Sequence, residues 1–316
     1  MANKQKESPF SYFVKNGIGF LKDAKSIWNS LFQSNDVMDH DVMEYREMHK
    51  IAHLARCAES FVKALMLIYD EIILFPVFLL MKKVEATENE RFQEVKELGR
   101  KLKNRAISIE KLEKLNHDPV LNSEIPQIFL KSSEILFSIN EKELGNVYKD
   151  IYSHLNSFKG KKKSERIKLR KFSDVQKLRV KLTENINMAK YMSDALEALR
   201  GTLNLESLDE KVRESIKYME KNPNIFKNLV NIVNIWFQEL IDLLLLTDYL
   251  SDATTKGFYP SDINAKNYLD EIREMQSYLM DYLSSMGDYL HTLIKNPEFM
   301  EAVNDYYKNI GGNIID

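Results

Sequence analysis

The stretch NYLDEIREMQSYLMDYLSSMGDYLHTLIK, residues 267–295, decides the fold class of this chain. Apolar and aromatic side chains recur in it at alternating steps of four and three residues, the heptad spacing of a helix that buries one stripe. The spacing fits a seam inside a helical bundle and also an oligomeric coiled coil, and we favour the bundle seam. The stripe consists of Tyr268, Ile272, Met275, Leu279, Tyr282, Met286, Tyr289 and Leu293.

Few turn-forming residues interrupt the chain. Ten glycines and seven prolines in 316 residues are too few for the many connections of a β-rich protein. The length also exceeds that of most single domains. These observations predict an all-α fold, an elongated multi-helix bundle with long amphipathic helices, built as one body or as two helical subdomains.

Capping residues beside proline or glycine predict where several helices begin and end. Ser8-Pro9 and Asn296-Pro297 each predict a helix start, and Pro76 predicts a kink or an end in a long helix. The helices expected on this basis cover about Pro9–Phe32, Asp39–Met81, Ser173–Arg200 with Gly201 as its cap, Asn222–Leu250, and Ser261 or Asp262 to Lys295.

Basic residues crowd Lys159–Lys171, where Glu165 is the one acid. We expect a solvated loop here, a basic linker over 159–172 that separates an N-terminal helical region, 1–158, from a C-terminal one, 173–316. The run has an aromatic residue only at its two edges, Phe158 and Phe172, whereas single-stranded nucleic acids are held on interleaved aromatic side chains. No nucleic acid is therefore expected as a partner.

The overall charge and the cysteine content bear on the compartment. The chain has 45 basic and 47 acidic residues, a balance that creates no global field to attract a polyanion. Its single cysteine, Cys57, fits a reducing compartment, and the polar N-terminus does not resemble a secretory signal. We expect a cytoplasmic protein.

Two apolar segments could be mistaken for membrane spans. Ala64–Met81 contains Asp70 and Glu71, and Leu229–Leu250 contains Glu239 and Asp242. A charged residue at the centre of a span costs about 3 kcal/mol on insertion scales. We therefore predict buried helices whose acids pair with Lys or Arg or face an edge; a membrane-active effector or pore former is the alternative.

His49, His53 and Cys57 lie four residues apart and would share one face of a helix. Zinc accepts these ligand types, and a histidine beside a cysteine can activate a thiol nucleophile. One helix does not complete a tetrahedral site, however, and no second ligand pair is evident elsewhere. We interpret them as core residues and expect no metal, no cofactor and no catalytic residue, with a metal- or thiol-dependent enzyme as the alternative.

The sequence MQSYL at 275–279, followed by KNPEFMEAVN at 295–304, resembles the C-terminal part of the accessory subunit of class III polyhydroxyalkanoate synthases. The resemblance implies a helical, cytosolic subunit without an active site, which pairs with a separate catalytic subunit that polymerises hydroxyacyl-CoA. The family tends to have a Trp-rich N-terminus, whereas Trp28 and Trp236 are the only tryptophans here.

Together these features predict a non-catalytic helical subunit that binds and activates or assembles a partner enzyme. The partner would be the catalytic synthase subunit, with a storage-granule or membrane surface as a further contact and a second copy of the chain as another candidate. The residues expected to make contact are apolar or aromatic and come from the first and last helices. They are Phe13, Phe20, Trp28, Tyr282, Met286, Tyr289 and Phe299.

Overall fold

The predicted all-α multi-helix bundle is confirmed. A computed structural model describes residues 7–33, 40–84, 90–185, 221, 223–254 and 263–310, and these residues form thirteen α-helices and no strand. Gly201, Ser261 and Asp262 lie outside these ranges. The helices are α1 Pro9–Gln33, α2 His40–Leu65, α3 Tyr69–Lys83, α4 Glu90–Ala106, α5 Ile109–Glu113, α6 Ile125–Ser138, α7 Lys142–Ser157, α8 Lys163–Leu169, α9 Phe172–Asn185, α10 Pro223–Leu250, α11 Ile263–Glu274, α12 Gln276–Lys295 and α13 Pro297–Asn309.

Helix ends follow the predicted caps at both termini of the described fold. The Ser8 hydroxyl accepts the backbone N–H of Ser11 at 3.2 Å, at the start of α1. The Asn296 side chain accepts the N–H of Phe299 at 3.1 Å, and Pro297 occupies the first turn of α13. Each cap satisfies an N–H group that has no partner inside its helix.

The second long helix was predicted to kink or end at Pro76, but it breaks earlier, between Leu65 and Tyr69. α2 ends at Leu65 and α3 begins at Tyr69, and the two are bent by 61°. The backbone N–H groups of Met66 and Ile68 bond three residues back, to Lys63 and Leu65, which tightens the turn and redirects the chain. Pro76 lies inside α3.

The final long helix is also interrupted. Its predicted course from Ser261 or Asp262 to Lys295 is broken at Met275, whose N–H is shared between the carbonyls of Glu271 and Ile272. The heptad stripe nevertheless packs within the chain. Tyr268, Ile272, Leu279 and Met286 are buried in the common core, and Tyr282 and Leu293 pack against it.

The solvated loop expected over Lys159–Lys171 is wrong for its central part. Lys163–Leu169 is helical, and Arg170 is only 3% exposed. Buried side chains before and after the segment, Leu155 and Val175 among them, belong to one core. One residue of the basic run is therefore an interior residue, and the regions 1–158 and 173–316 share a core.

The segment Ala64–Met81 is largely buried, as predicted, and so is the described part of the second segment, residues 235–250. In the described part of the chain no single helix has the length and hydropathy of a membrane span. The residues Met43–Leu65 and Tyr69–Met81 meet that description only together, across their 61° bend.

Three helices meet closely at Phe61, which is fully buried on α2. A methyl group on Gly17 of α1 would overlap the Phe61 ring, and one on Gly287 of α12 would lie 3.2 Å from it. The two glycines therefore allow α1 and α12 to approach the same aromatic ring. Gly19, two residues after Gly17, has no neighbour within 4 Å of the corresponding position.

Alanine at these two glycines of α1 is expected to change stability in opposite directions. Gly17→Ala forces the Phe61 ring to move and should destabilise the fold by about 1–3 kcal/mol, the usual cost of overpacking. Gly19→Ala only improves helix propensity and should stabilise it by about 0.5–1 kcal/mol. Urea denaturation of the two variants measures both effects, and equal shifts of the same sign would contradict the packing described here.

Candidate functional site

An apolar groove of about 750 Å³ lies between the bend of α2 and α3, the middle of α10, and the helices α12 and α13. Its volume is within the range of about 300–1,000 Å³ that ligand sites occupy. We call it the apolar groove. Its lining residues are Phe10, Ala64, Leu65, Leu67, Ile68, Glu71, Ile235, Trp236, Glu239, Leu240, Tyr278, Asp281, Tyr282, Ser285, Met286, Tyr289, Leu290, Leu293, Phe299, Ala302, Val303, Tyr306 and Tyr307.

Two local breaks in the chain create the groove. The bend after Leu65 brings Leu67 and Ile68 to its floor. The cap at Asn296 ends α12 and starts α13, and Phe299 then packs against Phe10 of α1 with ring centroids 5.6 Å apart. This contact ties α13 to the body of the bundle and leaves a gap between it, α12 and α10.

Aromatic rings form much of the wall, and their polar groups are partly satisfied by the protein. The Tyr282 hydroxyl donates to the backbone carbonyl of Glu239 at 2.9 Å, and the Tyr306 hydroxyl donates to the Glu71 carboxylate. The indole of Trp236 meets Tyr289 edge-on at 4.9 Å. Burial raises the pKa of Tyr289 to about 12, so this hydroxyl stays protonated at neutral pH.

Acidic groups dominate the charge at the groove. Glu71, Glu239 and Asp281 line it, and no Lys, Arg or His does so among the described residues. Lys103, just outside, pairs with Asp70 at 3.2 Å and with Glu71 at 2.7 Å.

On the other side, Arg179 pairs with Asp242 at 2.8 Å. Glu239 is left without an ion pair in the described part of the chain, and its pKa is raised by burial and by the charge of Asp242. Of the four acids in the apolar segments, Asp70, Glu71 and Asp242 thus form ion pairs. The fourth, Glu239, is exposed and lines the groove.

Four of the predicted contact residues converge on the apolar groove: Tyr282, Met286, Tyr289 and Phe299. Phe13 is instead buried in the core, and Phe20 packs beside His53. Trp28 is 38% exposed and lies under the ammonium group of Lys50 at 3.4 Å. The first helix therefore contributes Phe10 to the groove and none of its three predicted contact residues.

Comparison with protein families, curated proteins and solved structures finds no match for this chain. The resemblance of residues 275–304 to the synthase accessory subunit stays a prediction.

Of the three residues His49, His53 and Cys57, the structure buries the thiol and leaves the imidazole of His53 partly exposed. Cys57 is fully buried, and burial raises the pKa of its thiol far above neutral pH, which removes the thiolate that a nucleophile needs. Burial also lowers the pKa of His53, whose Nδ1 lies 3.9 Å from the Asp23 carboxylate. Among the described residues no group of three or more His, Cys, Asp or Glu could hold a metal ion.

A buried charge cluster surrounds Arg170. Its Nε donates to Asp252 at 2.7 Å, one terminal nitrogen donates to Asp248 at 2.9 Å, and the other donates to the Ser251 hydroxyl at 3.0 Å. The Phe158 ring covers the guanidinium at 4.4 Å. Burial alone would lower the pKa of Arg170, but Asp248 and Asp252 outweigh it and raise that pKa. The cluster joins α8 to α10 and the turn after it.

Asp118 approaches the same cluster from the segment before α6. Its carboxylate lies 3.5 Å from Arg166 and 3.8 Å from Arg170, and it accepts the N–H of Leu121 at 3.0 Å. Burial, together with the negative charge of Asp248, raises the pKa of Asp118 to about 7. Between pH values of about 4 and about 7, Asp118 therefore keeps its proton in the folded state and loses it in the unfolded chain.

This raised pKa gives a signed dependence of stability on pH. Because the folded chain binds one more proton between the unfolded pKa of about 4 and the folded pKa of about 7, the contribution of Asp118 to stability is lost as the pH rises through this window. The slope from this group is at most about 1.4 kcal/mol per pH unit. Asp118→Asn should remove it, so the wild-type chain should lose more free energy of unfolding than the variant between pH 5 and 7. Parallel curves would contradict the assignment.

Proposed function

We propose that this chain is a non-catalytic helical subunit that binds an apolar segment of a partner protein in the apolar groove. The observation that carries the proposal is the groove itself, an open cavity of about 750 Å³ walled mainly by aromatic and aliphatic side chains. Interfaces draw most of their binding energy from a few aromatic anchors set in such pockets. Trp236, Tyr282, Tyr289 and Phe299 have the chemistry and the position of anchors.

The partner we propose is the catalytic subunit of a class III polyhydroxyalkanoate synthase, in the cytoplasm and at the surface of the polymer granule. The segments that carry the resemblance, 275–279 and 295–304, supply Tyr278, Phe299, Ala302 and Val303 to the groove. The same part of the sequence thus supports both the family resemblance and the proposed binding site.

The test mixes the purified chain with a class III catalytic subunit from the same genome. We expect the two to co-elute in size-exclusion chromatography and the rate of polymerisation to increase. A catalytic subunit that elutes alone and keeps its basal rate would overturn the proposed partner.

The bend of α2 and α3 supports a second candidate function, a membrane-active helical protein. The residues Met43–Leu65 and Tyr69–Met81 together have the composition of a broken membrane span. For such a protein we expect the chain to float with liposomes after mixing. A chain that stays at the bottom of the gradient at neutral and acidic pH would argue against this function.

A further inference from the structure

Resting on the proposed function, we propose that the occupant of the apolar groove is an amphipathic α-helix of about four turns that carries Lys or Arg beside its apolar stripe. The basic residues would face Glu239 and Asp281.

The length of the groove indicates a helix. Its wall on α12 extends from Tyr278 to Leu293, which at 1.5 Å per residue is about 22 Å. Between these ends the wall residues form the adjacent pairs 281–282, 285–286 and 289–290, which recur every four residues on one face of the helix, where side chains of a neighbouring helix can pack. A partner helix of about 15 residues has the same length, and its apolar side chains at i, i+3, i+4 and i+7 would enter between the aromatic rings.

The charges around the groove determine which charged residues should border the apolar stripe of that helix. Two cations contact aromatic residues of the groove wall, Lys103 at Tyr306 and Arg179 at Tyr278. Both are already paired, with Asp70, Glu71 and Asp242. Glu239 and Asp281 are exposed at the edge and make no ion pair with any described residue. A basic side chain beside either carboxylate would gain an opposite charge, whereas an acidic flank would meet like charge.

The environment of Glu239 adds to this preference. Its carboxyl group is partly desolvated and lies in the field of Asp242, and these two effects outweigh the favourable charge of Arg179 and raise its pKa. A Lys or Arg from a partner would add a further favourable charge beside the ionised form. A fatty acid or another ligand with an anionic head group could match the groove in length, but its head group would meet the negative charges of Glu239 and Asp281.

Tryptophan fluorescence provides the test, because Trp236 lies in the groove and Trp28 does not. In the full chain with Trp28→Phe, the emission reports the groove alone. Three synthetic helical peptides of about 18 residues serve as probes: one with a leucine stripe flanked by lysines, one with the same stripe flanked by glutamates, and a scrambled version of the lysine peptide.

We expect the lysine-flanked peptide to change the emission of Trp236 saturably and to bind at least about tenfold more tightly than the glutamate-flanked one. The scrambled peptide should have no effect, since it keeps the charge and loses the stripe. Glu239→Gln combined with Asp281→Asn should bring the affinities of the first two peptides to within about threefold of each other. The variant changes exposed side chains, so circular dichroism should show an unchanged fold.

Equal binding of the two striped peptides, or saturable binding of palmitate without binding of either peptide, would overturn the inference. The outcome is separate from that of the proposed function. If the catalytic subunit co-elutes while no peptide binds, the proposed function stands and the amphipathic-helix occupant fails. If the lysine peptide binds while the catalytic subunit elutes alone, the occupant class stands and the proposed partner fails.

Discussion

Arg170→Met is expected to destabilise the fold by about 3–5 kcal/mol, the usual cost of removing one partner from a buried ion pair. The variant removes the guanidinium that contacts both Asp248 and Asp252, which are 0% and 2% exposed, and leaves Asp252 its ion pair with Arg166 at 2.8 Å. Methionine keeps the volume of the aliphatic part of the arginine side chain. The decrease in the free energy of unfolding therefore reflects the missing charge more than a packing defect. Equilibrium unfolding in guanidinium chloride measures it.

Two further variants make this prediction specific. Lys181→Met removes a pair with Asp150 whose side chains are 50% and 42% exposed, and it should cost no more than about 1 kcal/mol. Adding Asp248→Asn to Arg170→Met should recover part of the lost stability, because the fully buried residue 248 then carries no charge, while Asp252 keeps its ion pair with Arg166. A loss below about 1 kcal/mol for Arg170→Met alone would mean that the cluster is hydrated and not a buried anchor.

Ala302→Trp is expected to abolish partner binding without unfolding the chain. Ala302 is exposed on α13 and lines the apolar groove, so an indole at this position would occupy the space that a partner side chain needs. Because the added indole would keep the partner from the central anchors of the groove, the affinity should fall by about 100-fold or more. Isothermal titration calorimetry with the catalytic subunit or with the lysine-flanked peptide measures the change.

The matched control for this experiment is Ala302→Ser, which keeps the size of the side chain and should leave the affinity within about threefold of the wild-type value. Unfolding curves of both variants should coincide with that of the wild-type chain. If Ala302→Trp binds its partner as well as Ala302→Ser does, the partner contacts another surface.

Much of the helical architecture could be predicted from local chemistry. Ser8, Asn296 and the heptad stripe of residues 268–293 depend on neighbours within one or two turns, and such signals are legible in a single sequence. The stripe also contained four residues of the groove wall, Tyr282, Met286, Tyr289 and Leu293. Leu67, Ile68 and Trp236 also line the groove, but they lie in segments whose apolar pattern does not show which side chains face one another. On α13 the sequence predicted Phe299 as a contact residue, whereas Tyr306 and Tyr307, which also line the groove, were missed.

Long-range pairing explains the errors. The basic run at Lys159–Lys171 has the composition of a solvated loop, yet Arg170 finds Asp248 at a distance of 78 residues along the chain. Composition gives no information on such a partner. Gly17 weakens α1 when it is judged by helix propensity alone, but it lies against Phe61, which is 44 positions away. At Arg170 and at Gly17, a contact with a residue distant in the sequence outweighs the preference that the local sequence indicates.

The most direct test of the account is the chemical accessibility of one groove position while a partner is bound. Ser285→Cys places an exposed thiol in the apolar groove, and Cys57 should not compete for a maleimide because it is buried and its thiol pKa is raised. We predict that saturation with the catalytic subunit or the lysine-flanked peptide slows labelling at residue 285 at least about tenfold. Labelling of Leu169→Cys, a half-exposed position on α8, should be unchanged. A partner that co-elutes with the chain and leaves the labelling rate at residue 285 unaltered would contradict the account.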